Sequence, residues 1–280
     1  MEFTNDSPLM KIDPQDNITF FDSHCHFDFD AFSSCRETLW QQCIESSIHQ
    51  LLIPGIKPKQ WPVGIKIAQK YKGIFMSCGL HPWFIDDALS PSVNTDVEQL
   101  PTDEQWRVTL ASPYCVAIGE CGLDAAITTS LQIQIPIFER HLMLAQQLAM
   151  PVIIHVRNTH NETIRLLKKY RLEKGGVIHG FTGSKELAEE YWKMGFYLGV
   201  GGSITYPRAK KTREAIRSMP IESLLLETDA PDMPPLGYQG KDNSPLYLPF
   251  IASALADLKG ISVVETAKIT TENSRSLFGV

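Results

Sequence analysis

Val116-Ala117-Ile118-Gly119-Glu120 is a short run of small and branched apolar residues that ends on a carboxylate. The pattern recurs. Val152-Ile153-Ile154 ends on His155, Gly176-Val177-Ile178 on His179, and Leu224-Leu225-Leu226-Glu227-Thr228 on Asp229. Near the start, Phe20-Phe21-Asp22 leads into His24-Cys25-His26. In extended chain, residues two apart share a face, so both imidazoles point one way and Cys25 the other. Ionisable groups that end apolar strands are costly to desolvate, and a bound cation offsets that cost. His24, His26, Glu120, His155, His179 and Asp229 therefore predict one divalent-metal hydrolytic centre assembled from across the chain.

Outward from these runs, strands are predicted at Ile18 to Asp22, Gln50 to Gly55, Ile74 to Cys78, Cys115 to Gly119, Val152 to His155, Val177 to His179, Phe196 to Val200 and Leu224 to Glu227. Segments of helical period separate them, as where Phe138, Leu142, Ala145 and Leu148 fall on one stripe. Continuous apolar strands imply burial on both faces, and alternation of β with α implies a parallel sheet covered by helices. Eight strands are the number a closed barrel requires, and 280 residues accommodate an α/β barrel, which typically takes about 250. The fold class expected is α/β, a (β/α)8 TIM barrel with parallel strands and an outer ring of helices. In such a barrel the carboxyl ends of the strands converge on one rim, so residues far apart in sequence become neighbours. Pro136 places the start of its helix around Gln134 to Pro136. Two longer connections are positioned to roof the site: Pro82 to Tyr114, with a helix from Asp96 to Leu110, and the Pro- and Gly-rich Ala230 to Pro245. Residues 18–280 are read as a single domain after a mobile polar leader, 1–17.

The chain is 43% hydrophobic and 21% charged, and no stretch approaches the roughly 20 apolar residues that span a bilayer, so no membrane role is expected. Met1 to Asn17 lacks the basic start and apolar stretch of a secretory signal. Six cysteines form no C-x-x-C pair, which fits reduced thiols in a cytoplasmic protein. A net charge of −6 excludes a global positive field for nucleic acid, so any phosphate must be met by local cations. No obligate protein partner is inferred.

Histidine nitrogen and carboxylate oxygen suit Zn, Mn, Fe or Co, and carboxylates with water also admit Mg. Four imidazoles and two carboxylates exceed what one tetrahedral ion takes, so two divalent ions bridged by a carboxylate explain the set better. Glu120, mid-sequence between the two halves, is the natural bridge. His49, His141 and His160 are read as structural.

The chain resembles the TatD family of metal-dependent hydrolases, within the amidohydrolase-like group, on Asp22-Ser-His-Cys-His-Phe27, Gly79-Leu-His-Pro82, Ile118-Gly-Glu-Cys-Gly-Leu-Asp124, Pro151-Val-Ile-Ile-His-Val-Arg157, His179-Gly-Phe-Thr-Gly183 and Leu225-Leu-Glu-Thr-Asp-Ala-Pro231. The resemblance runs from Phe21 to Phe278. It implies a TIM barrel in which His24, His26, Glu120 and Asp229 hold one ion while Glu120, His155 and His179 hold the second. It also implies a deoxyribonuclease, exonuclease-like, with DNA or a short oligonucleotide as substrate.

Two ions about 3.5 to 4 Å apart can share a water, lower its pKa and position the resulting hydroxide for in-line attack on phosphorus. Asp229 is the expected proton acceptor, with Glu120 catalytic through its bridging position. Arg157, two residues past His155, is expected to meet a phosphate through two parallel hydrogen bonds. Arg208 opens a basic cluster after strand seven, where barrels often bind phosphate. His81 is a third candidate, binding substrate or orienting the leaving group. Trp83 and Phe84 beside it either stack a base or anchor the loop. Two other readings stand: an amidase or esterase built on the same metal core, and a noncatalytic metal or nucleic-acid binding module, against which the retained Asp229 argues.

Overall fold

The computed structural model describes residues 18–86 and 100–280, and the eight predicted strands lie in one sheet in chain order. They are β1 Phe20–Asp22, β2 Ile48–Ile53, β3 Ile74–Cys78, β4 Cys115–Asp124, β5 Val152–Arg157, β6 Gly176–Ile178, β7 Phe196–Val200 and β8 Leu224–Leu226. Each pairs in parallel with the next. The Ser23 amide donates to the Leu226 carbonyl at 2.9 Å, joining β8 back to β1. With helices between the strands, this is the expected (β/α)8 barrel.

Alternation along each strand divides the core in two. Phe21, Leu52, Ala117, Ile153, Val177 and Leu225 form a cluster inside the barrel, with Phe75 and Tyr197 packed against it. Leu277 and Phe278, from the last helix Val263–Phe278, join that cluster, so the end of the chain plugs the barrel. The neighbouring strand residues, such as Phe20, Leu51, Val152 and Leu226, belong to the larger cluster shared with the helices. A strand buried on both faces has no polar face to alternate, which is why these runs read as continuously apolar. Among the described residues no single helix is long and apolar enough to cross a membrane.

Local departures from the expected boundaries have physical causes. The helix containing Pro136 starts at Leu131, after Ser130, rather than at Gln134 to Pro136. Proline removes the bond to the Gln132 carbonyl, but Pro136 and Gln132 are both exposed, where solvent is available to that carbonyl. Within Asp96 to Leu110 the described helix is Asp103–Leu110, started by a capping box between Thr102 and Gln105. Pro101 disfavours helical geometry at the residue before it. The expected leader 1–17, and residues 87–99, lie outside the described residues.

β4 continues past its predicted end at Gly119 to Asp124, because a register shift between Ile118 and Cys121 lets pairing with β5 resume. Such a bulge re-aims the side chain it contains, and here that side chain is Glu120. His141 secures the neighbouring loop: Leu80 N–H donates to its Nε2 at 3.0 Å while its Nδ1 lies 2.7 Å from the Ile137 carbonyl. Burial holds His141 down at about 4, in the neutral form these bonds need.

Gly122 sits beside this bulge with φ +145°, and a Cβ there would overlap the His155 carbonyl oxygen. Gly122→Ala is expected to cost roughly 1–3 kcal/mol of stability, read as a lower urea midpoint at unchanged m, because it forces a side chain into that backbone region. An unchanged midpoint would contradict this close packing of β4 on β5.

Candidate metal centre

His24, His26, His179 and Asp229 follow the ends of their strands while Glu120 lies in the bulge of β4 and His155 within β5, and the barrel brings all six together. Glu120 is the hub. Its Oε2 lies 3.3 Å from His24 Nε2 and 3.9 Å from His26 Nε2. Asp229 Oδ1 is 3.5 Å from each of those two nitrogens. On the other side, Glu120 Oε1 lies 2.8 Å from His179 Nε2, 3.4 Å from His155 Nδ1 and 3.2 Å from His81 Nε2. One carboxylate thus addresses two groups of donors, one through each oxygen.

The backbone explains why these groups meet. Glu120 N–H donates to the Gly55 carbonyl at 2.8 Å, and a Cβ on Gly79 would crowd the Glu120 carbonyl. Asp229 has φ +58°, a left-handed conformation that aspartate tolerates, and its amide donates to the His24 carbonyl at 2.8 Å. Asp22, fully buried, ties the ends of β1 and β8 together. It accepts from Thr228 Oγ1 at 2.6 Å, Thr228 N at 3.0 Å and His24 N at 3.3 Å.

The electrostatics favour a cation between these donors. Burial is the largest influence on Glu120 and pushes its pKa up, but His179, His81 and His24 together outweigh it and hold the carboxyl well below its usual range. Burial likewise opposes charge on His179, yet Glu120 raises its pKa to about 10. Burial, assisted by the His179 charge, lowers His24 to about 4. Both nitrogens of the neutral His24 ring lack a hydrogen-bond partner, although Nε2 lies close to two carboxylate oxygens. Buried polar groups normally find partners. Nitrogen lone pairs and carboxylate oxygens converging this way are a suitable donor set for a divalent cation.

His81 and His155 differ in kind. Trp83 N–H donates to His81 Nδ1 at 3.1 Å, so the neutral ring carries its proton on Nε2 and directs it at Glu120. His81 is placed as a donor. His155 Nε2 lies 3.1 Å from Asp124 Oδ2, an acceptor-only oxygen, so one ring proton faces away from the centre and Nδ1 is the nitrogen that faces inward. Burial opposes charge on the ring, but its bonds to Asp124 and Glu120 outweigh it and raise its pKa. The His155 and Trp83 bonds outweigh burial and keep Asp124 ionised, below the usual carboxylate range.

A cavity of about 490 Å³ opens beside the cluster, lined by His26, His81, Glu120, His155, His179 and Asp229. Phe29, Trp83, Phe84 and Met233 give it an apolar mouth, and Arg157 is the one arginine or lysine among its described lining residues. Asp232 and Met233 bring the start of the Ala230 to Pro245 connection over it. Arg208 stands outside, exposed, its guanidinium 4.9 Å from the Tyr206 ring centre. His49, His141 and His160 bond within the protein, to Thr19, to Leu80 and Ile137, and to Tyr191 and Thr182 respectively.

Three acids at the site escaped the sequence reading: Asp22, Asp124 and Glu227. Glu227 accepts from Gly180 N–H at 2.5 Å, and burial raises it to about 8. Each ends an apolar run, the same signal that singled out Glu120 and Asp229.

Comparison with known proteins gives a consistent picture. A family model described as TatD related DNase matches residues 21–279. The uncharacterized metal-dependent hydrolase YjjV of Escherichia coli K12 is 36% identical over 262 residues, covering 93% of this chain and 98% of that protein. Its crystal structure superposes with a TM-score of 0.83 at 35% identity, covering 93% of this chain and 98% of that one. The 3′-5′ ssDNA/RNA exonuclease TatD of Klebsiella pneumoniae is 32% identical over 268 residues, again with 93% and 98% covered.

The raised His179 sets the sign of a pH effect. Its proton competes with a cation until the pH passes about 10, so divalent-metal affinity rises with pH through the neutral range. Calorimetric titration of zinc at pH 7 in buffers of different ionisation enthalpy is expected to show proton release, from His179 and from His26 and His155, whose pKa values are also raised. Binding without proton release would contradict the His179–Glu120 arrangement.

Proposed function

The chain belongs to the TatD-related DNase family, and on that footing we propose that it is a metal-dependent phosphodiesterase that removes nucleotides from an end of single-stranded nucleic acid. It is a metal-dependent hydrolase, as are the relatives that cover nearly its whole length. His24, His26, Asp229 and Glu120 Oε2 would hold one divalent ion, and Glu120 Oε1, His155 and His179 a second. Their mixed nitrogen and oxygen donors suit zinc, manganese or cobalt, with magnesium the least favoured by so many imidazoles. Bound there, divalent ions supply an activated water and neutralise charge on the phosphate.

The protein's own groups do the rest. Asp229, 16% exposed against 2% for Glu120, is the carboxylate of the pair that opens toward the cavity. It is placed to take the proton from attacking water. His81 directs its Nε2–H into the centre and is placed to donate to a phosphate oxygen or the leaving oxygen. Arg157, exposed on the cavity wall, supplies a planar fork for phosphate. The apolar mouth formed by Phe29, Trp83 and Phe84 offers faces on which a splayed base can stack, and the name of the Klebsiella relative supports a single-stranded substrate. Residues 18–280 serve as one hydrolase domain, and six free thiols support a reducing, cytoplasmic setting.

The observation that carries this reading is the shared Glu120 carboxylate beside an open cavity containing a lone arginine. Manganese-loaded protein is expected to shorten 5′-labelled single-stranded DNA progressively from its 3′ end. Asp229→Asn is expected to lower kcat by about 10²–10⁴-fold, the usual worth of a positioned acid or base. Failure to release nucleotides with Mg, Mn, Co or Zn, together with turnover of an amide or ester panel, would replace the nuclease reading by an amidohydrolase one.

A further inference from the structure

Asp124 is fully buried, and three donors converge on its carboxylate. Ala126 N–H reaches Oδ1 at 2.7 Å. Oδ2 is shared: the Trp83 indole N–H lies 2.7 Å from it and His155 Nε2 lies 3.1 Å from it. The backbone of Asp124 is itself clamped. Its N–H donates to Gln134 Oε1, and Gln134 Nε2 returns a bond to its carbonyl, both at 2.8 Å. Gln134 lies in the helix Leu131–Leu148 and is fully buried, so the carboxylate is located by the barrel wall rather than by a loose loop.

We propose that Asp124 is a positioning residue for the metal centre, its Oδ2 holding His155 Nε2–H and the Trp83 indole together and so tying a metal ligand to the aromatic at the cavity mouth. The inference rests on the metal reading of the preceding subsection. A carboxylate is the side chain this position needs, since all three of its neighbours are donors and an amide would turn its own N–H toward one of them. By accepting from Nε2, Asp124 orients the His155 ring and turns Nδ1 inward, 3.4 Å from Glu120 Oε1 and 3.3 Å from His179 Nε2, as the nitrogen free to ligate once its proton is displaced. Ligating histidines commonly depend on such a partner, and removing it weakens metal binding about 10–100-fold.

Trp83 shares the consequence. Its side chain is 53% exposed, an unusual state for an indole whose N–H bonds a buried carboxylate. Its ring stands at 89° to His81 and 71° to His155, with centroids 5.4 and 6.4 Å away. The oxygen that orients the ligand therefore also holds a rigid wall beside the donor His81. A base resting on that wall has its phosphate directed by the same anchor that aims His155.

Zinc titration of chelator-stripped protein against a chromophoric chelator tests this directly. The wild type is expected to bind two ions per chain. Asp124→Asn is expected to weaken one of them by about 10–100-fold and leave the other unchanged. Trp83→Phe, which loses the indole N–H but leaves the His155 bond, is expected to keep both zinc affinities while raising KM for a short single-stranded oligonucleotide more than it lowers kcat. Two unweakened ions in Asp124→Asn would overturn the proposal and leave the metal reading intact, whereas a wild type that binds no zinc would remove the metal reading itself. Should Asp124→Asn fail to fold by circular dichroism, ¹⁵N spectra of the zinc-loaded wild type decide. A protonated His155 Nε2 supports the proposal, and a bare one overturns it.

Discussion

Burying a carboxylate in the throat of a barrel is expensive unless positive charge meets it, and everything at this rim follows from how Glu120 is compensated. It is 2% exposed, yet it stays ionised because imidazoles from the ends of β1, β3, β5 and β6 surround it. No single strand can deliver that set. The parallel barrel can, since it aims eight strand ends at one place, and the closing bond from Ser23 to Leu226 carries the groups after β8 to those after β1. Asp22 and its bonds to Thr228 reinforce the seam on which His24, His26 and Asp229 depend.

The architecture was legible because hydrophobic burial on both faces of a strand leaves a distinct trace, and all eight runs found their places. Five of those runs end on a ligand candidate, and the six residues they supplied lie in one cluster. The trace fails where tertiary geometry overrides local pattern. Gly119 reads as a strand end, but a bulge carries β4 on to Asp124. Pro136 reads as a helix start, but its lost bond faces water and the helix begins five residues earlier. Asp124 and Glu227 end apolar runs too, but that signal does not say which acids the fold will surround with donors, three on Asp124 and Gly180 N–H on Glu227.

Chemistry and selectivity occupy different layers of the site. The buried layer is nearly all imidazole and carboxylate, a composition suited to cations and indifferent to what is hydrolysed. The outer layer is the one a substrate would meet on the proposed reading, and it is sparse: aromatic and apolar faces, Arg157 and Asp232. The cluster opened by Arg208 lies apart from this cavity, with Arg208 over Tyr206 and Arg213 bonded to the Ile204 carbonyl. On the proposed reading, phosphate recognition near the centre would fall to Arg157, to His81 and to the bound ions, which is economical for a chain whose net charge is −6.

The central claim is that one carboxylate divides two cation sites between its oxygens. Anomalous difference maps from crystals soaked in manganese test it most directly. Two peaks are predicted, one among His24, His26 and Asp229 and the other among His155 and His179, with Glu120 between them. A single peak, or peaks that Glu120 does not bridge, would contradict the account.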